Sequence, residues 1–176
     1  HHIAYRAVRC HGTIGGSVAM ADPAADWPCI LLVLNATVII TSVSGERRLS
    51  MDEFLKGTYE TALKSGEFIR AFEIPKLAAT ARTATSKVNR KTGAFADALC
   101  AVVLDGQDTR IAIAALGTRA HILKSASQAL GSKATVADLH RAIASDIAAL
   151  LPKSDAYLQH LHETNARRAI AEVTRS

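Results

Sequence analysis

Gly12-Thr13-Ile14-Gly15-Gly16-Ser17-Val18-Ala19-Met20-Ala21-Asp22-Pro23-Ala24-Ala25-Asp26 is the stretch on which the reading of this chain turns. Two adjacent glycines between the hydroxyls of Thr13 and Ser17 predict a tight turn. Without a Cβ, Gly15 and Gly16 can take positive φ and let a ligand come close to the backbone. Successive N–H groups in such a turn form a concave anion site suited to a phosphate. Asp22 followed by Pro23 reads as a helix N-cap with proline at the first helical position. That places a partially positive helix N-terminus beside the turn. Taken alone, the pattern also describes a surface turn ahead of an ordinary helix. It is neither a GxGxxG fingerprint after a strand nor a P-loop, since no Gly-Lys-Ser/Thr follows.

The order of residues adds to this. Thr13-Ile14-Gly15-Gly16-Ser17 followed by Ala21-Asp22-Pro23-Ala24-Ala25-Asp26 closely resembles the second FAD motif of the molybdenum hydroxylase flavoproteins. That family holds the carbon monoxide dehydrogenase medium subunit and the xanthine dehydrogenase FAD domain. Upstream, Ala7-Val8-Arg9 resembles the family's Arg-Asn-Arg approach to Gly-Thr, with Cys10 and His11 departing from it. Downstream, Gly57-Thr58-Tyr59-Glu60-Thr61-Ala62-Leu63, Glu67-Phe68-Ile69 and Glu73-Ile74-Pro75 resemble the end of the FAD domain. Lys87 to Ala96 is similar to Lys-x-x-x-Arg-x-x-Asp-Phe-Ala, with Lys91 and Ala94 in place of Arg and Asp. Tyr157, His160, Leu161 and Arg167-Arg168-Ala169 resemble the family's closing helix.

Composition narrows the alternatives. A chain of 176 residues can bury roughly 70% of its unfolded surface, enough for one domain or two small ones. Apolar residues at 49% and charged ones at 21% are those of a globular chain. No apolar run approaches the roughly 20 residues of a membrane span. The net charge of +5 is dispersed and aromatics are only 5%, which argues against a nucleic-acid surface. Cys10, Cys29 and Cys100 are odd in number and far apart, which suits a reducing, cytoplasmic compartment. With no CxxC, this chain offers no zinc or iron–sulfur site of its own.

Periodicity sets out the elements. Asp22 to Leu34 reads as an apolar helix, Thr37 to Val43 as a buried strand and Arg47 to Leu49 as its return. Ser50-x-x-Glu53 is a capping box opening a short helix that Gly57 closes. Glu67 to Ile74 is a strand. Lys76 to Arg82 is the expected boundary between a unit over residues 1–76 and another over residues 83–176. Ala84 to Arg90, Ala98 to Leu104 and Arg110 to Leu116 read as strands, the last two joined as a hairpin at Asp105-Gly106. Helices follow over His121 to Leu130, Thr135 to Leu151 and Ser154 to Val173, with Arg167-Arg168 placed toward the last helix's C-terminal end. His160 and His162 are expected on its solvated face, two apart and unable to chelate together. The class is α+β.

By resemblance, residues 1–76 are the second lobe of a PCMH-type FAD-binding domain. A C-terminal domain of a three-stranded antiparallel sheet and three helices follows. Thr13, Ile14, Gly15, Gly16 and Ser17 would wrap the FAD pyrophosphate, and Asp26 would bond the ribityl or ribose hydroxyls. Ile69 would neighbour the flavin, with a plain strand-core role as the alternative. Lys87 would contact FAD, with a solvated strand lysine as the alternative. The resemblance implies an FAD-carrying electron-transfer subunit. Its partners would be a large molybdopterin subunit and a small iron–sulfur subunit, and the flavin would deliver electrons to NAD, a quinone or oxygen. No residue is expected to act as acid, base or metal ligand. The family's first glycine-rich loop lies on a lobe ahead of His1, so a fragment binding FAD weakly or not at all is the expectation. A subunit-docking module without redox role and a stand-alone PCMH-type flavoenzyme remain as other readings.

Overall fold

Thr13 decides how the glycine stretch folds. In the computed structural model, which describes residues 3–151 and 155–175, Thr13 is extended and its Oγ1 accepts from Gly16 N at 2.9 Å. That is an N-cap, and the chain turns directly into a helix. Helix α1 (Arg6–His11) precedes it, and α2 (Ile14–Met20) carries both glycines in its first turn. The expected tight turn is therefore corrected, and neither Gly15 nor Gly16 has positive φ. The left-handed residue is instead Ala21, at φ 50°, which ends α2.

Asp22 is not the cap of the next helix. Its Oδ1 accepts from Ala24 N at 2.8 Å and its carbonyl from Ala25 N at 3.1 Å. Asp at the first and Pro at the second position make a β-turn, which competes with capping for the same carboxylate. Helix α3 (Asp26–Val33) starts later, with Ala25 as N-cap and Asp26 in its first turn.

Strands β1 (Thr37–Ser42) and β2 (Gly45–Ser50) form a hairpin, and β5 (Phe68–Glu73) flanks β1 on its other edge. The expected capping box is present, with Ser50 and Glu53 bonding reciprocally at α4 (Met51–Phe54). Gly57 does not close that helix. Leu55 is already extended, and β3 (Leu55–Gly57) pairs with β4 (Glu60–Thr61).

The second sheet has the order β6-β7-β8-β9, from Arg82–Val88, Ala98–Leu104, Arg110–Ala114 and His121–Ile122. The short β9 is an addition to the three strands read from the sequence. Ile122 pairs with Ala112 and Leu123 N donates to Ile111 O, so the helix expected from His121 starts only at Lys124. Helices α5 (Lys124–Gly131), α6 (Val136–Leu150) and α7 (Ala156–Thr174) cover one face. Pro152 and Ser154, expected to part the last two, lie outside the described residues. Alternation decides the packing. Cys100, Val102, Ile111 and Ile113 point to these helices, whereas Leu99, Ala101, Val103, Ala112 and Ala114 share a layer with α3, α4 and β1.

Two features of α7 differ from expectation. Arg167 and Arg168 are not at its end, because Ala169, Ile170 and Val173 extend the buried stripe, and Arg167 pairs with Glu163 at 3.1 Å. His162 is 1% exposed, the helix phase turning it inward while His160 stays exposed. Among the described residues neither of its ring nitrogens has a well-formed hydrogen bond. Burial pushes its pKa down, and the Ala115 backbone opposes that only in part.

The unfolded chain thus binds a proton at His162 more readily than the folded one. Stability should fall as pH drops through the ordinary histidine value of about 6.5. His162→Leu is expected to flatten that decline in urea melts between about pH 7 and 5. Parallel declines in the two proteins would mean that His162 does not carry it.

Candidate functional site

The first turn of α2 gathers Thr13, Ile14, Gly15, Gly16 and Ser17. Thr13 Oγ1 takes Gly16 N–H and Thr13 O takes Ser17 N–H. Helix geometry leaves the N–H groups of Ile14 and Gly15 without an intrahelical acceptor. Thr13, Ile14 and Gly16 are exposed. A Cβ on Gly16 would come within 3.1 Å of Thr13 Oγ1, so the cap itself explains that glycine. A Cβ on Gly15 would meet nothing within 4 Å. Packing among the described residues gives no reason for a glycine there, and in a helix it costs about 0.5 kcal/mol relative to alanine. Two amides without an intrahelical acceptor thus stand at the partially positive end of α2.

Asp26 and Lys87 meet. In β6, Lys87 pairs with Leu99, so both point to the layer shared with α3, and Asp26 opens that helix. Lys87 Nζ donates to both carboxylate oxygens at 2.9 Å, with side-chain exposures of 10% and 12%. The pair joins residues on either side of the 76–82 connection. Neighbouring Ser86, one residue out of phase, faces the other way and bonds Asn165 of α7 at 2.6 Å. At the opposite end of α3, Arg110 Nε donates to Val33 O at 2.7 Å.

Ile69 lies on β5 opposite Ile40, partly buried against the apolar layer. The turn ahead of it is fixed by Arg47, which forks onto Glu67 at 2.8 and 2.7 Å and also donates to Ala62 O. Those bonds, with the Lys64 amide, hold the Glu67 carboxyl down at about 2. Helix α2 packs against β5.

Tyr59 was not among the residues singled out from the sequence. Its hydroxyl donates to Asp22 Oδ2 at 3.0 Å, which raises its pKa. The sequence offered only its place within Gly57 to Leu63 as a signal. A cleft of about 400 Å³ opens between the C-terminal end of α3, α4, β8 and α5. None of the residues expected to hold the cofactor lines it. No group of three His, Cys, Asp or Glu among the described residues is placed to hold a metal.

Residues 1–77 match the family of FAD binding domains in molybdopterin dehydrogenase. Over 172 residues the chain is 33% identical to the glyceraldehyde dehydrogenase medium chain of Sulfolobus acidocaldarius, spanning 94% of this chain and 59% of that one. The fold matches carbon monoxide dehydrogenase from Hydrogenophaga pseudoflava with a TM-score of 0.89 at 32% identity, over 98% of this chain and 64% of that one. The first 77 residues belong to that family of FAD binding domains, and the whole chain is similar to these oxidoreductase subunits. Quinoline 2-oxidoreductase from Pseudomonas putida 86 is similar as well, with a TM-score of 0.84 at 32% identity and the same coverage. This chain thus spans less than two thirds of the length of these relatives.

The Asp26–Lys87 pair is nearly shielded from water, so removing one partner strands the other's charge. Lys87→Met should lower the unfolding free energy by about 2–4 kcal/mol, and Asp26→Asn added to it should restore part of the loss. Urea denaturation measures both. A cost below about 0.5 kcal/mol would show that solvent screens the pair.

Proposed function

We propose that this chain forms the diphosphate-binding part of an FAD-carrying, electron-transferring subunit. Its partners in the assembled oxidoreductase are a large molybdopterin subunit and a small iron–sulfur subunit. The observation that carries the reading is Gly15, a helical glycine that no internal contact requires, beside free amides at the start of α2. The Ile14 and Gly15 N–H groups would donate to diphosphate oxygens, with Thr13 and Ser17 supplying hydroxyls on either side of them in the chain. Asp26 keeps lone pairs beyond those taken by Lys87, so it accepts from ribityl or ribose hydroxyls while the ion pair stays intact. Lys87 sets the charge and direction of that carboxylate, and Ile69 lends an apolar edge on β5. FAD held by these residues would supply the redox chemistry of electron transfer.

The compartment proposed is the reducing cytoplasm. All three cysteines are free thiols, with Cys29 and Cys100 buried. No helix among the described residues is long and apolar enough to cross a membrane.

Gly15→Ala separates folding from binding. Alanine fits the helix and the open space, so the variant should be more stable by about 0.5 kcal/mol. Its methyl group nevertheless stands where the diphosphate approaches, and affinity for inorganic pyrophosphate should drop about tenfold or more. Thermal melts and NMR titration of the Ile14 and Gly16 amides read the two effects. Unchanged pyrophosphate affinity in Gly15→Ala, or no shift of these amides in the wild type, would remove the diphosphate site.

A further inference from the structure

Two non-glycine residues with left-handed backbones sit bonded to one another beside the diphosphate helix. Ala21, ending α2, has φ 50°, and Tyr59, in the turn between β3 and β4, has φ 56°. Tyr59 N donates to Ala21 O at 3.1 Å. Its hydroxyl donates to Asp22 Oδ2 while Asp22 Oδ1 accepts from Ala24 N. One carboxylate therefore ties the β3–β4 turn to the loop that runs from α2 to Asp26. Such backbones cost free energy and persist only where their surroundings hold them, commonly at ligand clamps. The same loop is held from the other half of the chain, by Ala115 N on Pro23 O at 2.8 Å and Ala96 N on Ala24 O at 3.4 Å.

The loop determines how far the α2 amides lie from Asp26. A pyrophosphate ion would touch only the first of these, whereas FAD would reach both. We infer that Tyr59 is a positioning residue, acting through Asp22 to fix the spacing between the α2 N-terminus and Asp26 for a ligand that spans them. This rests on the flavin reading above and adds to it a residue that makes no contact with the diphosphate.

The test compares wild type with Tyr59→Phe in the full chain, using inorganic pyrophosphate and FAD as separate probes followed by amide NMR. Wild type should bind FAD more tightly than pyrophosphate. Tyr59→Phe should lose about three- to tenfold in FAD affinity, the size of one hydrogen bond, with pyrophosphate affinity unchanged. Asp22→Ala combined with Tyr59→Phe should be no weaker than Asp22→Ala alone, because both break one linkage. Without ligand, exchange at the Ala24 and Ala25 amides should quicken while Ile113, in the buried β8, keeps its rate. A merely structural loss would weaken both probes alike or quicken Ile113 as well, and either result overturns the inference. Equal FAD affinity in wild type and Tyr59→Phe also overturns it, and leaves the diphosphate site standing. If neither probe shifts Ile14 to Gly16 in the wild type, the flavin reading falls and takes this inference with it.

Discussion

Leu99, Ala101 and Val103 pack on one side of β7 while Cys100 and Val102 pack on the other, so this strand meets no water on either face. Everything else is arranged by that double burial. A sheet apolar on both sides needs two covering layers. Helices α5, α6 and α7 provide one, and α3, with α4 and β1, provides the other. Because the second layer comes from the half of the chain that carries the glycine helix, burying the strand also brings Asp26 over β6. A helix-start carboxylate and a strand lysine then face each other across the layer. The ion pair is a consequence of strand parity: shifted by one residue, Lys87 would join Ser86's face and meet α7.

The opening of α2 joins two demands on the same few atoms. Thr13 satisfies Gly16, which stabilises the helix, and leaves Ile14 and Gly15 amides unused. A longer side chain on Gly15 would be tolerated by the fold. Under the proposed function, the position is one where stability and binding pull apart, as happens at many functional sites. Helix α3 is treated oppositely, with an acid at its positive end and Arg110 on a carbonyl at its negative end, so its dipole is complemented at both termini.

Much of the fold was legible because periodicity is local. The β7–β8 hairpin, the capping box at Ser50 and Glu53, and α6 under its Thr135 cap all follow from residues a few positions apart. The misreadings occurred where one residue could serve two local structures. Thr13-x-x-Gly16 fits a turn or a cap, and Asp22-Pro23 fits a cap or a β-turn. The second choice goes to the β-turn, with Tyr59, distant in sequence, holding the other carboxylate oxygen. His162 was misplaced because two histidines drew attention to a polar face, when the phase of α7 is set by Ala166, Ala169, Ile170 and Val173. Within the site, the α2 residues are contiguous and readable together. The meeting of Asp26 with Lys87 depends on tertiary packing, and no spacing rule reaches it.

The inward-facing thiols have a chemical consequence of their own. Burial pushes Cys100 up to about 12, and Cys29 is raised well above its ordinary value by burial, with Cys100 and Asp26 adding to the rise. Neither forms thiolate at neutral pH, and thiolate is the nucleophile and the oxidisable form. The chain thereby keeps two of its sulfurs silent toward peroxide and alkylating reagents. Cys10, exposed on α1 a short way ahead of Thr13, is left as a natural single attachment point for a spectroscopic label next to the glycine helix.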